Sequence, residues 1–385
     1  MAEQKQFVGK VEYAKGLEGV ISNESTIGYV DGAKGWLIYR GINIMDLAEY
    51  SNYEETAYLL LFAKLPTKQE LVDFKKKLVE YREVPKGVIE VLRQLPNETH
   101  PMAALRTGIS ALGTFDTKAE QVTVENCTEI GVKLVAQMAT VAGAVARLRK
   151  GQEPVAPDPS LDHATNFLYM CNGEKPDDLS AKLMDVSLIL HADHGNNAST
   201  FTCLLVISSL ADIYSSVTAG IGSLKGPLHG GANEVALQDI MSIGSVDKVD
   251  DWVKDAIAKK KKFMGFGHRV YKAYDPRARV LGKYSMEITE KKGIKHLYDI
   301  AARVEEKVIE AYGERGIFPN VDFYSGTIYH ALGIETEMFT PIFAVSRVVG
   351  WVARAIEYLA DNRIFRPRAV YVGVMEAPYL PIDKR

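Results

Sequence analysis

A chain of 385 residues is roughly two and a half times the usual length of one domain, so two domains sharing a substantial core are expected. Its 47% hydrophobic and 25% charged residues exclude disorder and fibrous repeats, and a net charge of −3 gives no global attraction for nucleic acid or an anionic membrane. Three cysteines, Cys127, Cys171 and Cys203, with no CxxC pair, exclude a disulfide framework and a thiolate zinc knuckle and point to a reducing cytoplasm.

In chain order, the first twenty residues lack the apolar core of a signal peptide and the arginine-rich amphipathicity of a transit peptide, so no targeting segment is expected. Thr26–Val30 and Trp36–Arg40 flank a DGAKG turn and predict a β-hairpin. Helical periodicity then runs almost throughout. One stripe begins at Leu59–Leu61. A second takes Cys127, Leu134, Met138, Val141, Val145 and Leu148 in three- and four-residue steps, with Gly131 in the missing place, and ends at Gly151 and Pro154. Others cover Leu179–Leu190, Thr202–Val217 and Ile342–Leu359. Prolines such as Pro66, Pro85, Pro101, Pro276 and Pro341 punctuate them. Thr202–Leu224 is the most apolar stretch; Asp212, serines and glycines make it a poor membrane span, and it reads as one buried helix. Near the end, Ala369–Val374 alternates like a strand. The class is therefore all-α with a small β appendage. No linker separates two domains, so the chain is expected to cross between them more than once.

The average charge hides one local feature. Between Lys259 and Lys283 stand nine Lys or Arg and one acid, Asp275, an excess of +8 that suits a bound anion. Four of the eight histidines fall between 191 and 268. His191 and His194 close a helix on one shared face, as dipole-favoured imidazoles, substrate donors or a metal pair. His229, in GPLHGGANE, stands at a helix N-terminus. The positive potential there favours a neutral ring able to donate to a developing oxyanion, although a histidine in a tight turn is the plainer reading. His268 follows Met264-Gly-Phe-Gly267 and precedes Arg269, Lys272 and Arg277; the loop N–H groups suit an adenine edge or a phosphate, while Lys259–Lys262 resemble a solvated helix face. No strand precedes the glycines, so a dinucleotide fingerprint is not expected. Asp322 is either an N-cap or, among Val321, Phe323 and Tyr324, a general base of raised pKa. Arg347 and Arg354 lie seven apart on an apolar helix, where Glu357 is a natural partner, and Arg366-Pro-Arg368 follows.

Together these segments resemble the citrate synthase family along nearly the whole chain. The carrying motifs are GLEGV (16–20), YRG (39–41), LPT (65–67), HADHGNNASTF (191–201), GPLHGGANE (226–234), MGFGHRVYKAYDPRA (264–278), PNVDFYSG (319–326) and RPRAVYVG (366–373). The resemblance implies a helical two-domain fold: a large domain in 1–222 and 331–385, and a small domain in 223–330 that closes over the site. It implies condensation of acetyl-CoA with oxaloacetate by a si-type acyltransferase. In that chemistry Asp322 is the base at the thioester methyl, His229 the donor to the enol oxygen, and His268 the acid at the oxaloacetate carbonyl. His194, Arg277, Arg347 and Arg366 would clamp oxaloacetate, with Arg366 crossing the interface of a homodimer or higher homo-oligomer. Met264, Gly265, Phe266, Gly267, Lys272 and Arg315 would contact CoA, although Lys272 stands where several family members carry arginine. CoA is thus a co-substrate, with no tightly bound cofactor and no metal. The chain lacks the N-terminal extension of NADH-regulated hexameric members, so no NADH site is expected. 2-Methylcitrate synthase, which uses propionyl-CoA, shares the same residues. Outside this class, a helical metal-dependent phosphohydrolase would need an HD dipeptide, whereas Asp193-His194 is reversed; a non-catalytic helical scaffold is the third alternative.

Overall fold

The computed structural model describes residues 14–374 and 376–385; residues 1–13, and with them most of the segment that lacks targeting features, lie outside the described residues. Three short antiparallel strands, β1 (Gly28–Asp31), β2 (Trp36–Tyr39) and β3 (Ile42–Asn43), form a sheet in that order, with Gly28 opposite Tyr39 and Ile38 opposite Asn43. The hairpin is the one its turn predicts, and the two-residue third strand is an addition too short for periodicity to reveal. Ten helices follow: α1 (Ile44–Tyr50), α2 (Tyr53–Phe62), α3 (Lys68–Glu80), α4 (Lys86–Arg93), α5 (Pro101–Phe115), α6 (Val124–Leu148), α7 (His163–Asn172), α8 (Asp178–His191), α9 (Ala198–Ile207) and α10 (Ile213–Leu224). Six more complete the described chain: α11 (Ala232–Ile243), α12 (Val249–Ala258), α13 (Pro276–Lys291), α14 (Lys295–Tyr312), α15 (Val321–Ala331) and α16 (Phe339–Ala360).

Local chemistry explains most boundaries. Thr67 and Glu70 form a capping box on α3, and Thr123, Asp162, Asn197 and Asp275 each accept a backbone N–H in the first turn of the helix they open. Pro101 and Pro276 occupy the first helical position, where the missing N–H costs nothing. Two expectations need correction. Thr202–Leu224 is not one helix: Asp212 accepts from the Ser215 N–H and starts α10 afresh, after a left-handed Leu210 (φ 63°) ends the preceding segment. Ala369–Val374 forms no strand; Tyr371, Val372 and Val374 are exposed, and among the described residues no neighbouring strand supplies the ladder that alternation alone cannot.

The core is organised around α16, whose residues Phe339–Ala355 are all buried and which packs on α6, α8, α9 and α10. Helices α6 and the segment Thr336–Ala360 are long and apolar enough to cross a membrane, yet 83% and 100% of their most apolar windows are buried inside the protein. They are core helices. The second group, α11 to α15, packs largely on itself through α13–α15, α11–α15, α12–α14 and α13–α14 contacts. Between the groups, Asp177 at the start of α8 binds both Lys291 and Lys292 at the end of α13. The Gly32 carbonyl of the hairpin turn also accepts from the N–H groups of Lys272 and Ala273.

Gly131 lets α6 and α16 meet: a Cβ there would stand 2.3 Å from Val352 Cγ1. Alanine would gain up to about 1 kcal/mol of helix propensity. The overpacking of a rigid core costs about 1–3 kcal/mol and wins. Gly131→Ala is therefore expected to lower the urea midpoint at unchanged m-value, and a stabilised variant would contradict this packing.

Candidate active site

Helix α8 ends at His191, and the next residues turn away, so His191 and His194 do not share a face as the helical spacing suggests. His191 points into the core: its Nδ1 lies 2.7 Å from the Ser187 carbonyl and its ring meets the Phe343 edge. Burial pushes its pKa down to about 3. His194 points the other way, with Nε2 3.2 Å from the Tyr271 hydroxyl and its ring 5.0 Å from that of His268. Among the described residues no three His, Cys, Asp or Glu side chains gather at metal-ligand geometry.

The other two histidines have tautomers set by backbone donors. His268 Nδ1 accepts from the N–H groups of Val270 (3.0 Å) and Tyr271 (3.1 Å), which leaves the proton of the neutral ring on Nε2. Burial, then the Arg277 charge, hold its pKa down to about 4. His229 lies in the turn between α10 and α11, two residues before the Gly231 N-cap. Its Nε2 accepts from the Ser199 N–H at 3.2 Å and lies 2.8 Å from the Ser199 hydroxyl, so Nδ1 carries the proton. Ser199 is in the first turn of α9, so a second helix N-terminus supplies the donor, beyond the one visible in the sequence. Burial, reinforced by Arg347, lowers His229 to about 4. Both rings are neutral near pH 7.

Asp322 does not cap its helix. Asn320 does, accepting from the Asp322 N–H at 2.9 Å, and so leaves the Asp322 carboxylate for other work. Among the described residues, Oδ1 of Asp322 is buried without a hydrogen-bond partner. Burial raises its pKa to about 6, against the fields of Arg277 and Arg347 that favour the charged form.

The glycine loop is built into this corner. Gly267 N–H donates to the Phe318 carbonyl, Asn320 N–H to the Gly265 carbonyl, and Asn320 Nδ2 to the Gly267 carbonyl. Gly265 has φ +79°, and a Cβ on it would stand 2.8 Å from Phe323 Cα. Its first role is close packing on the turn that carries Asp322. Met264, Phe266 and Gly267 are half-buried beside it. Lys272 and Arg315 are exposed and adjacent, since a Cβ on Gly316 would lie 3.0 Å from the Lys272 carbonyl. Lys259 pairs with Asp255 and Lys261 with Asp239, the solvated helix-end reading of that run.

The arginines divide. Arg277 is buried and held by both oxygens of Asp275, the α13 N-cap, through Nε (3.0 Å) and Nη2 (2.8 Å). Arg347 is buried on α16, donates from Nε to the His191 carbonyl at 2.6 Å, and lies over the Phe343 ring. Arg354 is buried too, and its partner is Asp193 rather than Glu357, which instead accepts from Thr26. Arg366 is exposed on the segment beyond α16, outside the cluster within one chain. Ser199, Tyr271, Asp193 and Asp275 were not singled out for this site. Ser199, Tyr271 and Asp193 meet their partners across long stretches of sequence, whereas Asp275 holds Arg277 two residues on; the HADHGNNAS and MGFGHRVYKAYDPRA runs each place two of the four near a candidate.

The family model "Citrate synthase, C-terminal domain" matches residues 16–368. The citrate synthase of Deinococcus radiodurans is 46% identical over 372 residues, covering 97% of this chain and 99% of that protein. Among solved structures, citrate synthase from Pyrobaculum aerophilum superposes with a TM-score of 0.93 at 43% identity, covering 100% of both chains. Citrate synthase from Thermoplasma acidophilum, solved as a ternary complex with carboxymethyl coenzyme A and oxaloacetate, has a TM-score of 0.92 at 38% identity, covering 97% of this chain and 100% of that one. Likeness of this extent, in sequence and in fold alike, means that the chain belongs to the citrate synthase family.

Proposed function

We propose that this protein condenses acetyl-CoA with oxaloacetate and water to give citrate and CoA, with Asp322, His229 and His268 as its catalytic residues. The observation that carries the residue assignment is the buried Asp322 carboxylate, without a partner at Oδ1 among the described residues and raised to about 6, together with two imidazoles, His229 and His268, that stay neutral. A carboxylate with that pKa is ionised near pH 7 and basic enough to take a proton from the thioester methyl. His229 offers Nδ1–H to the thioester oxygen as it becomes an enol. A neutral donor serves here because the ring, with Nε2 already accepting from Ser199, resists a second proton. The enol carbon then attacks the oxaloacetate carbonyl, whose oxygen takes the Nε2 proton of His268. Hydrolysis of citryl-CoA draws the sequence forward.

Oxaloacetate is a dicarboxylate. His194, Arg277 and Arg347 form its clamp, and charge-assisted hydrogen bonds contribute about 1.5–3 kcal/mol each. Arg366, exposed on the trailing segment, completes the clamp in a homodimer by reaching the partner's site. Met264, Gly265, Phe266 and Gly267 take the adenine end of CoA, with Lys272 and Arg315 at its phosphates. The self-packing of α11 to α15, and the return of α16 to α6 and α8–α10, support a split large domain (1–222 and 331–385) around a small one (223–330). This enzyme works in the cytoplasm without a tightly bound cofactor or metal.

Turnover, read as CoA release, tests the assignment. Asp322→Asn and His229→Ala should each lose on the order of 10²–10⁴-fold in kcat with an unchanged circular dichroism spectrum; near-normal turnover in either would sink the mechanism. In the wild type, kcat/KM should fall as pH drops through about 6, because the base is then protonated, while both histidines stay neutral down to about 4. A plateau extending to pH 5 would assign the base elsewhere. The acyl donor is separated by one methylene, about 1–3 kcal/mol of selectivity. Acetyl-CoA is expected to give the higher kcat/KM, and the reverse order would make the protein a 2-methylcitrate synthase.

A further inference from the structure

The His191–Gly195 turn is held in a way the chemistry above does not use. Asp193 is completely buried and Arg354 nearly so, and the two form a fork: Nε to Oδ1 at 2.7 Å and Nη2 to Oδ2 at 2.8 Å. Two glycines open the space for it. A Cβ on Gly28 would stand 2.6 Å from Asp193 Oδ2, and one on Gly350 would stand 2.2 Å from the Ala192 carbonyl and 3.1 Å from Asp193 Oδ1. The Tyr39 hydroxyl donates to the Asp193 carbonyl (2.8 Å) and accepts from its N–H (3.1 Å), while Gly195 N–H donates to Oδ2. One helix, α16, therefore grips the turn twice, at the His191 carbonyl through Arg347 and at the Asp193 carboxylate through Arg354. His194 sits between the fixed Asp193 and Gly195, and among the described residues its own side chain has a single polar contact, to Tyr271.

We infer that Arg354 is a positioning residue for the condensation: gripping Asp193, it sets the backbone that aims His194 at the dicarboxylate. A long charged side chain in the buried part of a largely apolar helix is costly unless it is paired and fully hydrogen-bonded. A fork of fixed geometry restrains direction as well as charge, which a lysine at the same place cannot do. The effect falls on oxaloacetate alone, because the turn bears a ligand for the dicarboxylate and none of the groups assigned to CoA. This inference rests on the reading of His194 as a substrate ligand.

The test is a double-mutant cycle on the full-length protein. Wild-type turnover of acetyl-CoA and oxaloacetate comes first, and its absence would reject the proposed function itself. Given turnover, Arg354→Lys should raise the KM for oxaloacetate roughly 10- to 100-fold, the range expected of a misplaced contact. The KM for acetyl-CoA should stay within about twofold, the scatter of independent sites. In a His194→Ala background the same substitution should add less than about twofold to the oxaloacetate KM, since it acts through the missing ring. Equal rises in both KM values, an unchanged oxaloacetate KM, or full additivity with His194→Ala would each overturn the inference and leave the pair a stabilising contact. Should Arg354→Lys not fold, Gly28→Ala displaces the same carboxylate without removing its charge and is held to the same pattern.

Discussion

Everything near the site depends on one constraint, the burial of guanidinium charge in an apolar helix. Helix α16 is the centre of the core, yet it carries Arg347 and Arg354 with almost no exposure. An unpaired ion there would cost several kcal/mol, so the fold must bring acceptors to it. It does so with the turn after α8, which presents the His191 carbonyl and the Asp193 carboxylate. The turn is accordingly packed on both sides by glycine and tied to Tyr39 on the small sheet.

The same low-polarity surroundings act in opposite directions on the acid and on the imidazoles. Burial disfavours the charged form of each, so Asp322 rises to about 6 while His229 and His268 fall to about 4. The arginines oppose burial at the acid and reinforce it at the imidazoles: they restore part of the Asp322 charge and deepen the neutrality of the rings. One electrostatic arrangement thus yields a carboxylate that is ionised near pH 7 and imidazoles that are not.

Much of the fold was legible. The stripes at Cys127–Leu148, Leu179–Leu190 and Ile342–Leu359 correspond to α6, α8 and α16, because amphipathic and core periodicity is a local property of the chain. Thr202–Val217 misled because its two halves share an apolar character, and the decisive residue is a single capping aspartate, Asp212. Ala369–Val374 misled because alternation describes a surface, whereas a strand also needs a neighbour. The candidate histidines, Asp322 and the arginines were visible through residue type beside glycine, proline or apolar neighbours. Their partners were not, since Ser199 with His229, Tyr271 with His194 and Arg354 with Asp193 are joined across 30 to 161 residues.

By itself the sequence determined the helical class, the hairpin, the family and the residue types that can hold a dicarboxylate and move a proton. Those follow from periodicity, turn chemistry and motif order, all of which are written along the chain. Only the tertiary structure decided which histidine faces the core and which faces the site, which ring nitrogen carries a proton, and that Asn320 frees Asp322 from capping. It also resolved the basic stretch of 259–283: Lys259 and Lys261 pair with acids at a helix end, and Arg277 is buried against Asp275. The physical reason is common to all of these. Burial and hydrogen-bond partnership belong to the space between elements, and no local pattern encodes which distant donor will fill it.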